Sequence, residues 1–167
     1  EMPKLGTFNL HASLLPNYRG AAPINWAIIN GETKTGVTTF FIDDKIDTGA
    51  MILSKETRIE KEENAGMLHD RLMHIGSETV VATLNLIESN KVNTTIQEDN
   101  EGIKTAYKLN KENCKIDWNQ SAENIHNLIR GLSPYPAAWC YFKDNSTEYN
   151  VKIYESKIVT ESHSKPI

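Results

Sequence analysis

The chain has 167 residues, of which 39% are hydrophobic and 24% are charged, the composition of a globular protein with enough apolar material for a core. Its formal net charge is −4, so no overall basic field indicates nucleic-acid binding, although a local basic stripe could still serve that purpose. No apolar run is long enough to span a membrane and no signal-peptide pattern is present, which favours the cytoplasm. Cys114 and Cys140 lack the CxxC spacing of a zinc site, so we predict free thiols and no bound metal.

The first third of the chain carries short apolar runs separated by turn residues. Runs rich in β-branched and aromatic residues, such as "GVTTFFI", predict strands, whereas "AAPINWAIING" predicts a short helix that stops at Gly31. Strands are therefore expected at 5–10, 36–42 and 50–59, with a helix over 21–31 and loops at 12–20 and 43–49.

A long helix is predicted from Glu62 to Asn90, because apolar residues recur there at helical spacing and the acidic residues Glu62 and Glu63 favour a helix N-terminus. Gly76 is a possible soft point within it. Residues 91–104 are polar and without a clear period, and we place a domain linker at 93–104. Beyond it, a helix is predicted from Ser121 to Leu132, followed by strand-like segments at 133–142 and 149–159.

Three polar side chains stand out in the predicted first half. Asn9 and His11 are two residues apart at a strand end and so share one face. Asp47 lies in the loop after the next strand, which in an open α/β sheet can return to the same edge, where ligands bind at the carboxyl ends of strands. A carboxylate beside a histidine fixes the ring tautomer, and an amide can donate to a developing oxyanion.

This trio suits acyl transfer through a tetrahedral intermediate, with His11 as the acid–base group, Asn9 as the oxyanion donor and Asp47 as the orienting group. The residues alone leave another interpretation open. Asn9 and His11 would then be a structural pair at a strand end, and "DDKIDTG" would be an ordinary turn.

Several motifs, in order along the chain, closely resemble those of the folate-dependent formyltransferases. They are Asn9 and His11, "SLLP" at 13–16, "RGAAPI" at 19–24 and "DTG" at 47–49. A weaker resemblance continues through "KLNKENCKIDW" and "LIRGLSPYPAAW". The resemblance implies an α/β fold with a Rossmann-like catalytic domain, followed by a β-barrel domain that resembles an OB-fold.

The resemblance also implies an activity in translation initiation. The formyl group of 10-formyltetrahydrofolate, a co-substrate, would be transferred to the amino group of methionine on initiator tRNA, with no metal, membrane or protein partner. Asn9, His11 and Asp47 would be the catalytic residues. The folate-contacting residues would be Ser13, Leu14, Leu15 and Pro16.

Compared with the family, the chain begins in the middle of a domain and its barrel looks unfinished. We therefore expect a fragment of a longer enzyme. Residues 1–92 would be the C-terminal part of the catalytic domain and 105–167 the N-terminal part of the OB-like domain.

Three alternatives to a formyltransferase that acts on tRNA stay open. The acceptor could be a nucleotide-linked amino sugar or glycinamide ribonucleotide, or the chain could be a non-catalytic module that binds folate or RNA. The combined presence of Asn9, His11 and Asp47 argues against the last of these. A basic face for phosphate contact is possible in the second half, though a solvated face explains the same residues equally well: Lys108, Lys111, Lys115 and Arg130.

Overall fold

The computed structural model describes residues 3–99 and 101–160, and the end of the predicted second domain, 161–167, lies outside the described residues. Seven strands and three helices occur within the described ranges. In chain order they are β1 (Phe8–His11), β2 (Arg19–Gly20), α1 (Pro23–Ile29), β3 (Lys34–Phe41), β4 (Met51–Arg58), α2 (Ala65–Glu88), β5 (Thr105–Ala106), α3 (Ala122–Leu132), β6 (Ala138–Asp144) and β7 (Thr147–Ile153).

The first half is built on a sheet in the order β1-β3-β4, in which both neighbouring pairs are antiparallel. The central strand β3 is buried over most of its length, which explains its run of β-branched and aromatic residues. Its buried hydroxyls are satisfied, because Thr39 Oγ1 lies 2.8 Å from Thr83 Oγ1 and Thr38 Oγ1 donates to the Ser13 carbonyl at 2.8 Å. The predicted α/β class is confirmed.

The long helix α2 covers one face of this sheet. It begins later than predicted, because Asn64 caps it by accepting from the Met67 amide at 2.9 Å, and Glu63 therefore precedes the helix. At Gly76, an added Cβ would lie 2.7 Å from Leu10 Cδ2, so this glycine lets β1 pack closely against the helix. Its buried positions form one stripe: Ala65, Leu68, Leu72, Gly76, Thr79 and Thr83.

The second half has a separate small core around α3 and the antiparallel hairpin β6–β7. The predicted helix is confirmed, with Ser121 accepting from the Asn124 amide at 3.1 Å as its N-cap. Cys114 and Cys140 are buried and free. The described part of this half is a hairpin with a helix, and the OB-like barrel stays a prediction.

Residues 95–106, which lie between the two halves, contact the first half. Thr95 exchanges two backbone hydrogen bonds with Met51, at 2.8 and 2.9 Å, and β5 pairs in parallel with β2. The position of a domain boundary at 93–104 stays a prediction. Across the described ranges, every helix is too short or too polar to cross a lipid bilayer.

A polar cluster of Tyr18, Glu32 and Lys104 also holds the segment between the two halves against the first half. Tyr18 donates its amide to the Lys104 carbonyl at 2.6 Å and its hydroxyl to Glu32 Oε1 at 2.6 Å, and Lys104 Nζ also donates to Glu32. Burial would raise the pKa of the Glu32 carboxyl, but the hydrogen bonds from Lys104 and Tyr18 outweigh burial and hold that pKa below its usual range. Burial and the Glu32 carboxylate raise the pKa of Tyr18, which stays a donor.

Glu32→Gln is expected to lower the free energy of unfolding at pH 7 by about 1–2 kcal/mol, because the ion pair with Lys104 becomes an ammonium–amide contact and the bond from Tyr18 becomes a neutral one. A carboxyl whose pKa is depressed by folding stabilises the protein above its unfolded-state pKa, and this contribution is lost as the pH falls through the folded-state value. Urea unfolding from pH 7 down to acid pH should therefore show a difference from the wild type that is full at pH 7 and shrinks as the pH falls.

The control for this prediction is Glu56→Gln, which removes an ion pair with Lys34 whose side chains are 54% and 61% exposed. Its effect should stay below roughly 1 kcal/mol over the same pH range. Equal losses from the two variants at pH 7 would contradict the assignment of stability to the Glu32 cluster.

Candidate active site

The end of β1 presents alternate side chains to opposite faces of the sheet. Leu10 packs against Gly76 of α2, so Asn9 and His11 lie on the other face. His11 is 6% exposed, whereas Asn9 is exposed. One polar group is thus open to a ligand, and the other is held within the protein.

Asp47 reaches His11 through the loop after β3, as its position in that loop predicted. Because β1 and β3 are antiparallel, with Phe8 opposite Phe41, the carboxyl end of β3 itself lies away from His11. The loop after β3 runs back along the sheet, and Asp47 Oδ2 lies 3.5 Å from His11 Nδ1.

Both ring nitrogens of His11 face oxygen acceptors. Nε2 lies 2.7 Å from the Tyr18 carbonyl oxygen, and Nδ1 faces the Asp47 carboxylate. A neutral imidazole can donate to only one of these two acceptors, whereas an imidazolium can donate to both. Asp47 Oδ2 also accepts from the Gly20 amide at 2.9 Å, so the carboxylate is held from two sides.

The four residues predicted to contact folate differ in exposure. Ser13 is fully buried, and its hydroxyl donates to the Asn17 carbonyl at 2.7 Å. Leu15 is buried, and its backbone amide donates to Thr38 Oγ1 at 3.2 Å. Leu14 and Pro16 are partly exposed, and the Leu15–Pro16 peptide bond is cis. Only Leu14 and Pro16 therefore offer side-chain surface, while Ser13 and Leu15 shape the loop beneath them.

Sequence reasoning did not single out three residues that complete the site: Tyr18, Gly20 and Gln97. Tyr18 and Gly20 lie within segments whose loop and motif character was noted, but their roles come from backbone atoms and leave no side-chain pattern. Gln97 donates through Nε2 to the Asp47 and Gly49 carbonyls, at 2.9 and 2.8 Å. It lies in a polar segment without period, where no local signal points to it.

No group of three or more side chains with metal-ligating chemistry occurs among residues 3–99 and 101–160. The basic residues of the second half are used in different ways. Lys111 and Lys115 lie over the Trp139 ring, with Nζ 5.3 and 5.6 Å from its centroid. Arg130 donates to the Glu63 carbonyl at 2.9 Å and links α3 to the start of α2, so its main contact is structural.

Comparison with known proteins matches both halves. A sequence profile described as formyl transferase covers residues 1–84, and one described as formyl transferase, C-terminal domain, covers 108–167. The methionyl-tRNA formyltransferase of Flavobacterium johnsoniae is 76% identical over 164 residues, which make up 98% of this chain and 52% of that protein. That of Flavobacterium psychrophilum is 69% identical over 156 residues, 93% of this chain and 49% of that protein.

The chain spans about half the length of the curated relatives it matches. Among solved structures, the N-formyltransferase from Helicobacter canadensis, in complex with folinic acid and dTDP-3-aminofucose, is similar with a TM-score of 0.66 and 29% identity. The similarity covers 74% of this chain and 46% of that one. Since the N-terminal profile alone spans half of its residues, the chain belongs to the formyl transferase family.

Proposed function

We propose that the protein transfers the formyl group of 10-formyltetrahydrofolate to the amino group of methionyl initiator tRNA in the cytoplasm. The observation that carries this proposal is the pairing of the buried His11 with Asp47 beside the exposed Asn9, in a chain 76% identical to a methionyl-tRNA formyltransferase. A pure binding module has no need of Asn9, His11 and Asp47 together as an acid–base and oxyanion set. The geometry therefore favours an enzyme over a non-catalytic binder.

The chemistry follows from the placement of the three side chains. The neutral amino group of the acceptor attacks the formyl carbon, and the electron pair of the carbonyl moves to its oxygen. The exposed Asn9 amide donates to that oxyanion, and the His11 imidazolium, held between Asp47 and Tyr18, stabilises the same charge. A proton then passes from the attacking nitrogen to the folate nitrogen, and tetrahydrofolate leaves as an amine.

The donor would bind against the exposed edge of the loop after β1. Leu14 and Pro16 carry its accessible apolar surface, whereas the buried Ser13 and Leu15 would act by fixing the loop. Leu14 also lines a cavity of about 230 Å³ that includes Tyr18 and Lys104. We therefore narrow the direct folate contacts to Leu14 and Pro16.

An amino-sugar acceptor is the second candidate, because the Helicobacter canadensis enzyme was solved with dTDP-3-aminofucose. That relative is 29% identical to this chain, against 76% for the tRNA enzyme.

Transfer should be detected with methionyl initiator tRNA and not with dTDP-3-aminofucose, measured with 10-formyltetrahydrofolate labelled in the formyl group. Labelled sugar with unlabelled tRNA would reverse the assignment of the acceptor.

Asp47→Asn should lower kcat by roughly three to four orders of magnitude, as in other sites where an aspartate orients a catalytic histidine. The amide would present an N–H or a neutral oxygen to His11 and could no longer balance an imidazolium. Asp44→Asn is the matched control, because Asp44 is exposed in the same loop. Single-turnover formyl transfer with both variants tests the role of Asp47, and similar rates would exclude it.

Asn9→Ala should lower kcat by roughly 10²- to 10³-fold with little change in KM for either substrate, because its amide acts on charge that develops only during the reaction. Steady-state kinetics with each substrate varied separately measures this split. A rise in KM at constant kcat would instead assign Asn9 to ground-state binding.

A further inference from the structure

Gln97 joins the segment between the two halves to the loop that carries Asp47. Its side chain is 8% exposed, and Nε2 donates to the Asp47 carbonyl at 2.9 Å and to the Gly49 carbonyl at 2.8 Å. Both donors of the amide are thus used on one short stretch of loop. Two hydrogen bonds from one buried group fix the path of that stretch.

The loop needs such support because its backbone conformation is unfavourable on its own. Asp47 has a φ of +55°, in the left-handed region that residues other than glycine seldom adopt. Gly49 packs so closely on β3 that an added Cβ would lie 1.6 Å from the Phe41 carbonyl oxygen. Contacts from outside the loop must therefore hold Asp47 in this conformation.

The orientation of the Gln97 amide is itself determined. Arg19 Nε donates to Gln97 Oε1 at 2.9 Å, and Arg19 Nη1 pairs with Asp99 at 2.6 Å. A reversed amide would place its NH2 against the guanidinium and its oxygen against two carbonyls, which leaves every contact mismatched. The paired backbone of Thr95 and Met51 places Gln97 at the loop.

Arg19 and Gly20 form the two-residue strand β2, so one strand supports Asp47 in two ways. Through Gln97 it holds the Asp47 backbone, and through the Gly20 amide it holds the Asp47 carboxylate at 2.9 Å. The carboxylate then faces His11. The network is continuous from the connecting segment to the imidazole.

We propose that Gln97 is a positioning residue for catalysis, which acts through Asp47 and does not touch substrate. The segment that connects the two halves is then a working part of the active site. The kinetic consequence rests on the formyl transfer proposed above. The structural consequence, that Gln97 sets the position of Asp47 relative to His11, does not depend on that activity.

Gln97→Glu is the sharpest test, because the side chain keeps its shape and its bond from Arg19, loses both donations to the loop and places a carboxylate oxygen against the same two carbonyls. We expect kcat to fall roughly 10- to 100-fold with the KM of either substrate nearly unchanged, as when an orienting group is removed. Gln120→Glu is the matched control, since Gln120 is exposed in the second half. An unchanged kcat in Gln97→Glu would overturn the proposal.

A double-mutant cycle with Asp47→Asn separates positioning from a general structural effect. If Gln97 acts through Asp47, Gln97→Glu should lower kcat less than twofold in the Asp47→Asn background. An equal loss in both backgrounds would overturn the proposal. Should Gln97→Glu fail to fold by circular dichroism, Arg19→Lys, which removes the Nε donor, takes its place in the same cycle.

A measurement without substrate keeps the two proposals distinct. The ¹⁵N shifts of the His11 ring in the whole chain should move in Gln97→Glu as well as in Asp47→Asn, while those of the exposed His69 stay fixed. If these shifts move but the unsubstituted protein shows no formyl transfer, the proposed function fails and the positioning role stands. If only Asp47→Asn moves them, the role of Gln97 is wrong.

Discussion

The contact between His11 and the Asp47 carboxylate depends on a loop that returns along the sheet. Because β1 and β3 are antiparallel, their carboxyl ends lie at opposite ends of the sheet, and the 42–50 loop has to cover the distance between them. It does so with Asp47 in a left-handed conformation, supported by Gln97 and by the Gly20 amide. The site is therefore held by hydrogen bonds across the sequence more than by any one element.

Burial explains why these supports are needed. A charged imidazole in the interior is costly unless each N–H has an acceptor, and His11 finds one in Asp47 and one in the Tyr18 carbonyl. Tyr18 is held in turn by the Lys104 carbonyl and by Glu32. The surroundings of His11 are thus tied to residues 95–106, which lie between the two halves.

Local sequence signals predicted the elements that form by local rules. The helices α2 and α3 follow from apolar periodicity, and β3 and β4 follow from their β-branched and aromatic runs. Element ends were less predictable, because the Asn64 cap competes with the acidic residues before it. The two-residue strands β2 and β5 carry no pattern of their own, since each exists only through its pairing with the other.

For the site residues too, local sequence signals predicted what depends on one strand and missed what depends on tertiary contacts. Asn9 and His11 are two residues apart on one strand, so alternation predicts their common face, but the exposure of one and the burial of the other depend on tertiary packing. Asp47 was predicted both from its loop position and from family resemblance, and the loop, not the end of β3, brings it to His11. Gln97 was missed because its role is to contact backbone carbonyls some 50 residues away. Carbonyls carry no residue identity, so no sequence motif can mark their partner.

In the proposed reaction, the exposed and buried members of the site meet opposite requirements. Asn9 has to reach a ligand, so its surroundings are open, and its identity alone determines what it can donate. His11 and Asp47 have to keep their geometry while the reaction changes the charge beside them, which requires partners that do not rearrange. Tyr18, Gly20 and Gln97 supply those partners through main-chain or amide groups, whose dipoles are fixed by the fold. On the proposed mechanism, the connecting segment supports the site through the Gln97 side chain and through the Lys104 carbonyl that holds Tyr18.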